Sequence, residues 1–153
     1  MVTPTIREHD PMTVVGLQTH YEGDDSVFSA LWEEFGERWD EFEGLAATDE
    51  AFGVITDYHP GDETFDYLTG VATGPDADQP ADFETVEVRG GTYAVFETTL
   101  PSLEADYAAV SGEWLPESDY DRRSAPEFER YGGDYDPEDP DSPYEYFLPV
   151  TPR

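Results

Sequence analysis

The side chain in this sequence whose surroundings best suit chemistry is Glu129. It sits in Phe128-Glu129-Arg130-Tyr131, a strand-like run. Alternation along a strand turns Glu129 and Tyr131 to one side and Phe128 and Arg130 to the other. A carboxylate with aromatic company is poorly hydrated, and its pKa rises unless a cation compensates. Two kinds of cation could do so. One is an arginine of the chain itself, such as Arg130, Arg122 or Arg123. The other is a lipophilic cation from solution, to which aromatic walls would add about 0.5–2 kcal/mol of cation–π attraction. Candidate walls are Tyr131, Trp114, Trp39 and Tyr67. As a catalyst, Glu129 with a near-neutral pKa could activate a water or protonate a substrate. It would have to work without a nucleophile–base pair or a phosphate loop, because the sequence shows neither. Glu117 and Glu127 fall in loop-like contexts and read as solvated.

The rest of the composition removes other chemistries. There are no cysteines, so no disulfide framework or thiolate metal site can form. His9, His20 and His59 are scattered at no ligand spacing, so neither a metal nor a cofactor is expected. Acids number 37 against seven basic residues, all arginine, for a formal charge of −30. Such a chain lacks the basic clusters that neutralise phosphates, so direct nucleic-acid binding is not expected. Aromatic content of 14% and clear periodicity argue against disorder. The acids spread along the whole chain, which fits a salt-adapted surface, of the kind halophiles use, better than a localised nucleic-acid mimic. No apolar run reaches the roughly 18 residues of a membrane span, and the start lacks a signal-peptide pattern. A soluble cytoplasmic protein without membrane association is the expectation.

The elements that must position Glu129 follow from periodicity. Met12 to Tyr21 alternates as a strand, with Val15, Leu17, Thr19 and Tyr21 on one face. Asp25 or Ser26 can cap a helix over Val27 to Phe42, whose apolar positions include Val27, Leu31, Phe35 and Trp39. Trp32 belongs to the same wide face and reads as core. Gly44 stops the helix. Phe52–Tyr58 and Thr64–Thr73 are strands joined by a Pro-Gly turn, and a polar connector covers 74–82. The order then recurs. Strands at Phe83–Arg89 and Thr92–Thr99 precede a helix with Leu103, Tyr107, Val110 and Trp114 at helical spacing. Leu115-Pro116 ends that helix, and strands at Phe128–Tyr135 and Tyr144–Val150 follow. Asp57-Tyr58-His59-Pro60-Gly61-Asp62 reappears 77 residues later as Asp134-Tyr135-Asp136-Pro137-Glu138-Asp139, and Val15–Tyr21 overlays Tyr93–Thr99 at an offset of 78. The sequence thus predicts one α+β domain over 1–153, with pseudo-repeats at about 5–73 and 83–151. Each repeat is strand-helix-strand-strand. Together they form an antiparallel sheet of about eight strands, with two helices on one face and a cleft between them, a usual place for a small molecule.

Several segments carry a family resemblance. Gly91-Thr92-Tyr93-Ala94-Val95-Phe96, Trp114-Leu115-Pro116-Glu117-Ser118-Asp119-Tyr120, Ala125-Pro126-Glu127-Phe128-Glu129-Arg130-Tyr131 and Phe147-Leu148-Pro149-Val150 resemble the GyrI-like small-molecule-binding family. Val14-Val15-Gly16-Leu17, Phe52-Gly53-Val54 and Tyr67-Leu68-Thr69-Gly70-Val71 fit it too. This is the effector-binding domain found alone or attached to AraC-type and MerR-type multidrug regulators. The resemblance implies the duplicated fold, a ligand cleft between the helices, and Glu129 as the buried acid in that cleft. It implies a ligand that is a small amphipathic or cationic aromatic molecule. Because the match runs over essentially the whole chain, with no DNA-reading helix, a standalone form is expected, with a regulator or a DNA-handling enzyme as a separate partner. Two alternatives come with the family. One is a cofactor-independent hydrolase of reactive lipophilic compounds using Glu129, and the other is an acidic inhibitor of an enzyme such as gyrase.

Overall fold

A computed structural model describes residues 3–24, 26–44, 46, 50–59, 61, 64–73, 83–132, 135–136, 139 and 141–153. Strands β1 (Thr5–His9) and β2 (Met12–Tyr21) lead into helices α1 (Ser26–Glu37) and α2 (Trp39–Glu43). Strands β3 (Ala51–His59), β4 (Thr64–Ala72), β5 (Glu84–Val88) and β6 (Gly91–Thr98) follow. Helix α3 (Leu103–Ala109) runs through a π-helical turn (Val110–Trp114) into the short α4 (Leu115–Glu117), and β7 (Tyr120–Arg122), β8 (Glu127–Tyr131) and β9 (Tyr144–Pro152) complete the chain.

All pairing is antiparallel. The strand order is β1-β6-β9-β8-β3-β4-β2-β5, with β7 added alongside β9. The order β2-α1-β3-β4 recurs as β6-α3-β8-β9, and the two sets join where β3 pairs with β8. Two edge strands are exchanged. β1 precedes β2 but pairs with β6, and β5 precedes β6 but pairs with β2. Both crossings are short, so the sheet must curl until its edges approach. There Gly90 lies against Pro11, and a Cβ at Gly90 would come within 2.7 Å of the proline ring.

The curl explains the two cores. On one face Val14, Phe52, Val54, Leu68, Val88, Tyr93, Val95, Phe128 and Phe147 form a buried cluster drawn entirely from strands. Phe128 and Phe147 stack there at 4.4 Å, with His9 edge-on to both. The helices cover the opposite face. α1 places Leu31 and Phe35 against Leu17, Tyr67 and Val71, and Val110 packs on Ala94, Phe96 and Leu148.

The α+β antiparallel sheet agrees with the expectation, with nine strands rather than about eight. The strands beyond the seven placed from the sequence are β1 and β7, short segments with little alternation that exist by pairing with residues far along the chain. The long first helix breaks at Arg38, which separates α1 from α2. The proposed cap Asp25, the connector 74–82 and much of the Asp-Tyr-x-Pro-x-Asp repeat lie outside the described residues. No described helix is long and apolar enough to cross a membrane.

Candidate functional site

The helix-covered face opens between α1 and α3 into a cleft of about 2070 Å³. Strands β3 and β8 run along its floor. Phe28, Trp32 and Phe35 of α1 and Trp39 of α2 line one side, and Leu103 and Tyr107 line the other. The register pairs Gly53 with Glu129 and Ile55 with Glu127, so both glutamates rise from the middle of the floor.

Glu129 is only 6% exposed. Tyr67 donates its hydroxyl to Glu129 Oε1 at 2.6 Å, and Trp32 Nε1 donates to the Tyr67 oxygen at 3.2 Å. Trp32 also stands edge-on to Tyr131 at 5.0 Å, and Tyr131 packs on Tyr144 at 4.6 Å. Burial pushes the Glu129 carboxyl above its ordinary value, while the phenols of Tyr67, Tyr131 and Tyr144 partly hold it down. The Tyr144 hydroxyl is buried and makes no hydrogen bond among the described residues. The same burial, reinforced by the Glu129 charge, raises the phenols of Tyr67 and Tyr131 well above theirs, so they remain donors.

Gly53 makes this arrangement sterically possible. A Cβ there would overlap the Tyr67 hydroxyl and lie 2.7 Å from Glu129 Oε1. Glycine within a strand often marks such a close approach. The Phe52-Gly53-Val54 segment carried that signal in the sequence.

None of the arginines considered as partners pairs with Glu129. Arg130, on the opposite face of β8, reaches Glu50 at 2.9 Å and Glu145 at 3.0 Å. Arg123 donates to the carbonyls of Val150, Gly90 and Thr92 and lies 5.0 Å over the Tyr93 ring. Arg122 reaches Glu127 at 2.6 Å. Glu127 is therefore not the solvated loop acid that its sequence context suggests. It begins β8, is half-buried, and accepts hydrogen bonds from Tyr146 at 2.6 Å and Tyr107 at 3.1 Å. Burial beside Glu127 pushes the Tyr107 phenol up to about 12.

Glu129, Tyr131, Tyr67 and Trp39 thus come together around the cleft. Trp114 does not. It stacks on Tyr120 at 6.4 Å and packs with the cluster under α3. The π-helical turn it closes gives it a direction that regular helical spacing does not foresee. Trp32, read from periodicity as core, is partly buried against the cluster under α1 and also lines the cleft, where it donates to the Tyr67 hydroxyl. Among the described residues, no group of His, Cys, Asp and Glu could hold a metal ion.

The sequence profile of the GyrI-like small molecule binding domain matches residues 3–151. No curated protein sequence matches. Among solved structures, SAV2435 bound to tetraphenylphosphonium is similar at a TM-score of 0.74 and 18% identity, over 97% of this chain and 93% of that one. The EcmrR C-terminal domain gives 0.76 at 16% identity, over 100% and 99%. A putative transcription regulation protein from Staphylococcus aureus MU50 gives 0.68 at 17%, over 99% of both chains.

Proposed function

The chain belongs to the GyrI-like small-molecule-binding domain family, and from that premise we propose that its cleft captures lipophilic aromatic cations, with Glu129 as their counter-ion. The observation that carries this reading is a carboxylate buried among phenols, with no arginine partner among the described residues. Without a cation, ionised Glu129 is compensated, among the described residues, by neutral donors, and burial therefore favours its protonated form. An organic cation would restore the charge balance. It would shed little hydration on entry, and would gain cation–π contact with Trp32, Tyr131 and Trp39 along the wall. The tetraphenylphosphonium carried by the similar SAV2435 structure is such a cation. Within this reading Tyr67 and Tyr131 hold the carboxylate, Trp32 locks Tyr67, and Gly53 leaves them room.

The test is a titration with tetraphenylphosphonium followed by tryptophan fluorescence, at constant salt because the charge of −30 attracts any cation. Glu129→Gln should weaken binding by about 10–100-fold, the range expected for losing a charge-assisted contact. Equal affinity of variant and parent would overturn the assignment of Glu129.

A further inference from the structure

The cleft contains a second carboxylate that the reading above does not use. Glu127 and Glu129 are alternate residues of β8 and point the same way, about 7 Å apart by the rise of a strand. Each accepts a short hydrogen bond from a strand tyrosine: Tyr67 for Glu129 and Tyr146 for Glu127, both at 2.6 Å. Each has a helix aromatic beside it, Trp32 from α1 or Tyr107 from α3.

The Glu127 cluster differs in what fills it. Arg122 Nη1 donates to Glu127 Oε2 at 2.6 Å and to the Tyr107 hydroxyl at 3.0 Å. Its guanidinium carbon lies 5.8 Å from the centre of the Tyr107 ring. Carboxylate, phenol oxygen and ring face are the contacts that bind an organic cation. Arg122 arrives on β7, a three-residue strand that pairs only with β9, and its side chain is 42% exposed. Its other guanidinium nitrogens have no partner among the described residues. Apart from Glu127 and Tyr107 themselves, the cation in this cluster is held by the short strand that carries it.

We propose that Glu127, Tyr107 and Tyr146 form a second organic-cation subsite, filled from within the chain by Arg122. The tether gives the guanidinium an effective concentration in the millimolar range, which a free monocation at micromolar concentration does not match. Arg122 thereby limits the cleft to one captured cation and directs it to Glu129. This shares with the Glu129 reading the premise that a carboxylate–aromatic cluster here takes cations, but the two clusters can be tested apart.

The experiment is calorimetric titration of the full chain with tetraphenylphosphonium. The parent should bind one cation per chain. Arg122→Ala should bind two, the second within about tenfold of the affinity of the first. Arg122→Met, which keeps an aliphatic chain over Tyr107, should do the same and guards against a misfolded alanine variant. Millimolar methylguanidinium should compete for the new site alone, and Arg122→Ala combined with Glu127→Gln should return the count to one. In Arg122→Ala combined with Glu129→Gln only the Glu127 site should remain, whatever becomes of the Glu129 reading. If both single Arg122 variants, folded by circular dichroism, bind no cation competed by methylguanidinium, the pair is a structural salt bridge and the proposal is overturned.

Discussion

Glu129 and Glu127 leave the same strand two residues apart, on the same face, each with a tyrosine donor and a helix aromatic. At Glu127 an arginine of the chain supplies the positive charge; at Glu129 none does among the described residues. The difference begins with what reaches each end of the cleft. β7 brings Arg122 to the α3 side. On the α1 side, Trp32 and Tyr67 close over the carboxylate instead. One acid is matched within the chain, and its neighbour has, among the described residues, only neutral phenol donors against the effect of its burial. Composition alone could not separate them: they are two among 37 acids.

The largest effect on the Glu129 cluster is expected at Gly53. Gly53→Ala would force Tyr67 and Glu129 apart and should reduce tetraphenylphosphonium affinity by about 100-fold or more, the combined loss of a positioned charge and its donor. The Glu127 cluster should be unaffected, which the unchanged pKa of Tyr107 in an absorbance titration would check.

A smaller effect follows from protonation. The folded Glu129 carboxyl titrates above its ordinary value because it is buried. A bound cation favours the ionised form, so affinity should fall as pH drops through that raised pKa, by at most about tenfold per pH unit. Folding linkage has its own sign. Between the unfolded and folded pKa values the native state holds the extra proton, so this group's contribution to stability declines as pH rises through that window. Glu129→Gln should abolish the pH dependence of binding.

Tyr67→Phe removes one donor and leaves the carboxylate. It should raise the pH midpoint of binding and cost about threefold to tenfold in affinity, as for one hydrogen bond to a charged group. Trp32 would lose its acceptor, a further small loss readable in its emission. The smallest change in binding is expected from Glu127→Gln, within about threefold for cation affinity. That variant should instead lower thermal stability by about 1–2 kcal/mol, because Arg122 and two phenols lose their charged acceptor.

Much of this frame was legible in the sequence. Alternation located β2, and helical spacing located α1 and α3. The aromatic flanks of Glu129 singled it out, because a solvated acid has no need of Phe128 and Tyr131. What escaped depends on pairing across the chain. β1 and β5 exchange edges, and a five-residue strand such as Thr5–His9 carries no local sign of pairing with β6. Periodicity showed that Trp32 faces inward, yet could not distinguish a residue in the core from one at the rim of a cleft. For Glu127 the misleading sign was Pro126 beside it, which suggested a loop where β8 begins. The π-helical turn rotated Trp114 away from the position that 3.6-residue spacing assigned to it.

The most direct test of the central claim is where the cation sits. In a crystal structure of the complex with tetraphenylphosphonium, the phosphonium should lie beside the Glu129 carboxylate, with its phenyl rings against Trp32 and Tyr131 and with Arg122 still on Glu127. A cation seated against Glu127 with Arg122 displaced, or bound outside the cleft, would contradict the account.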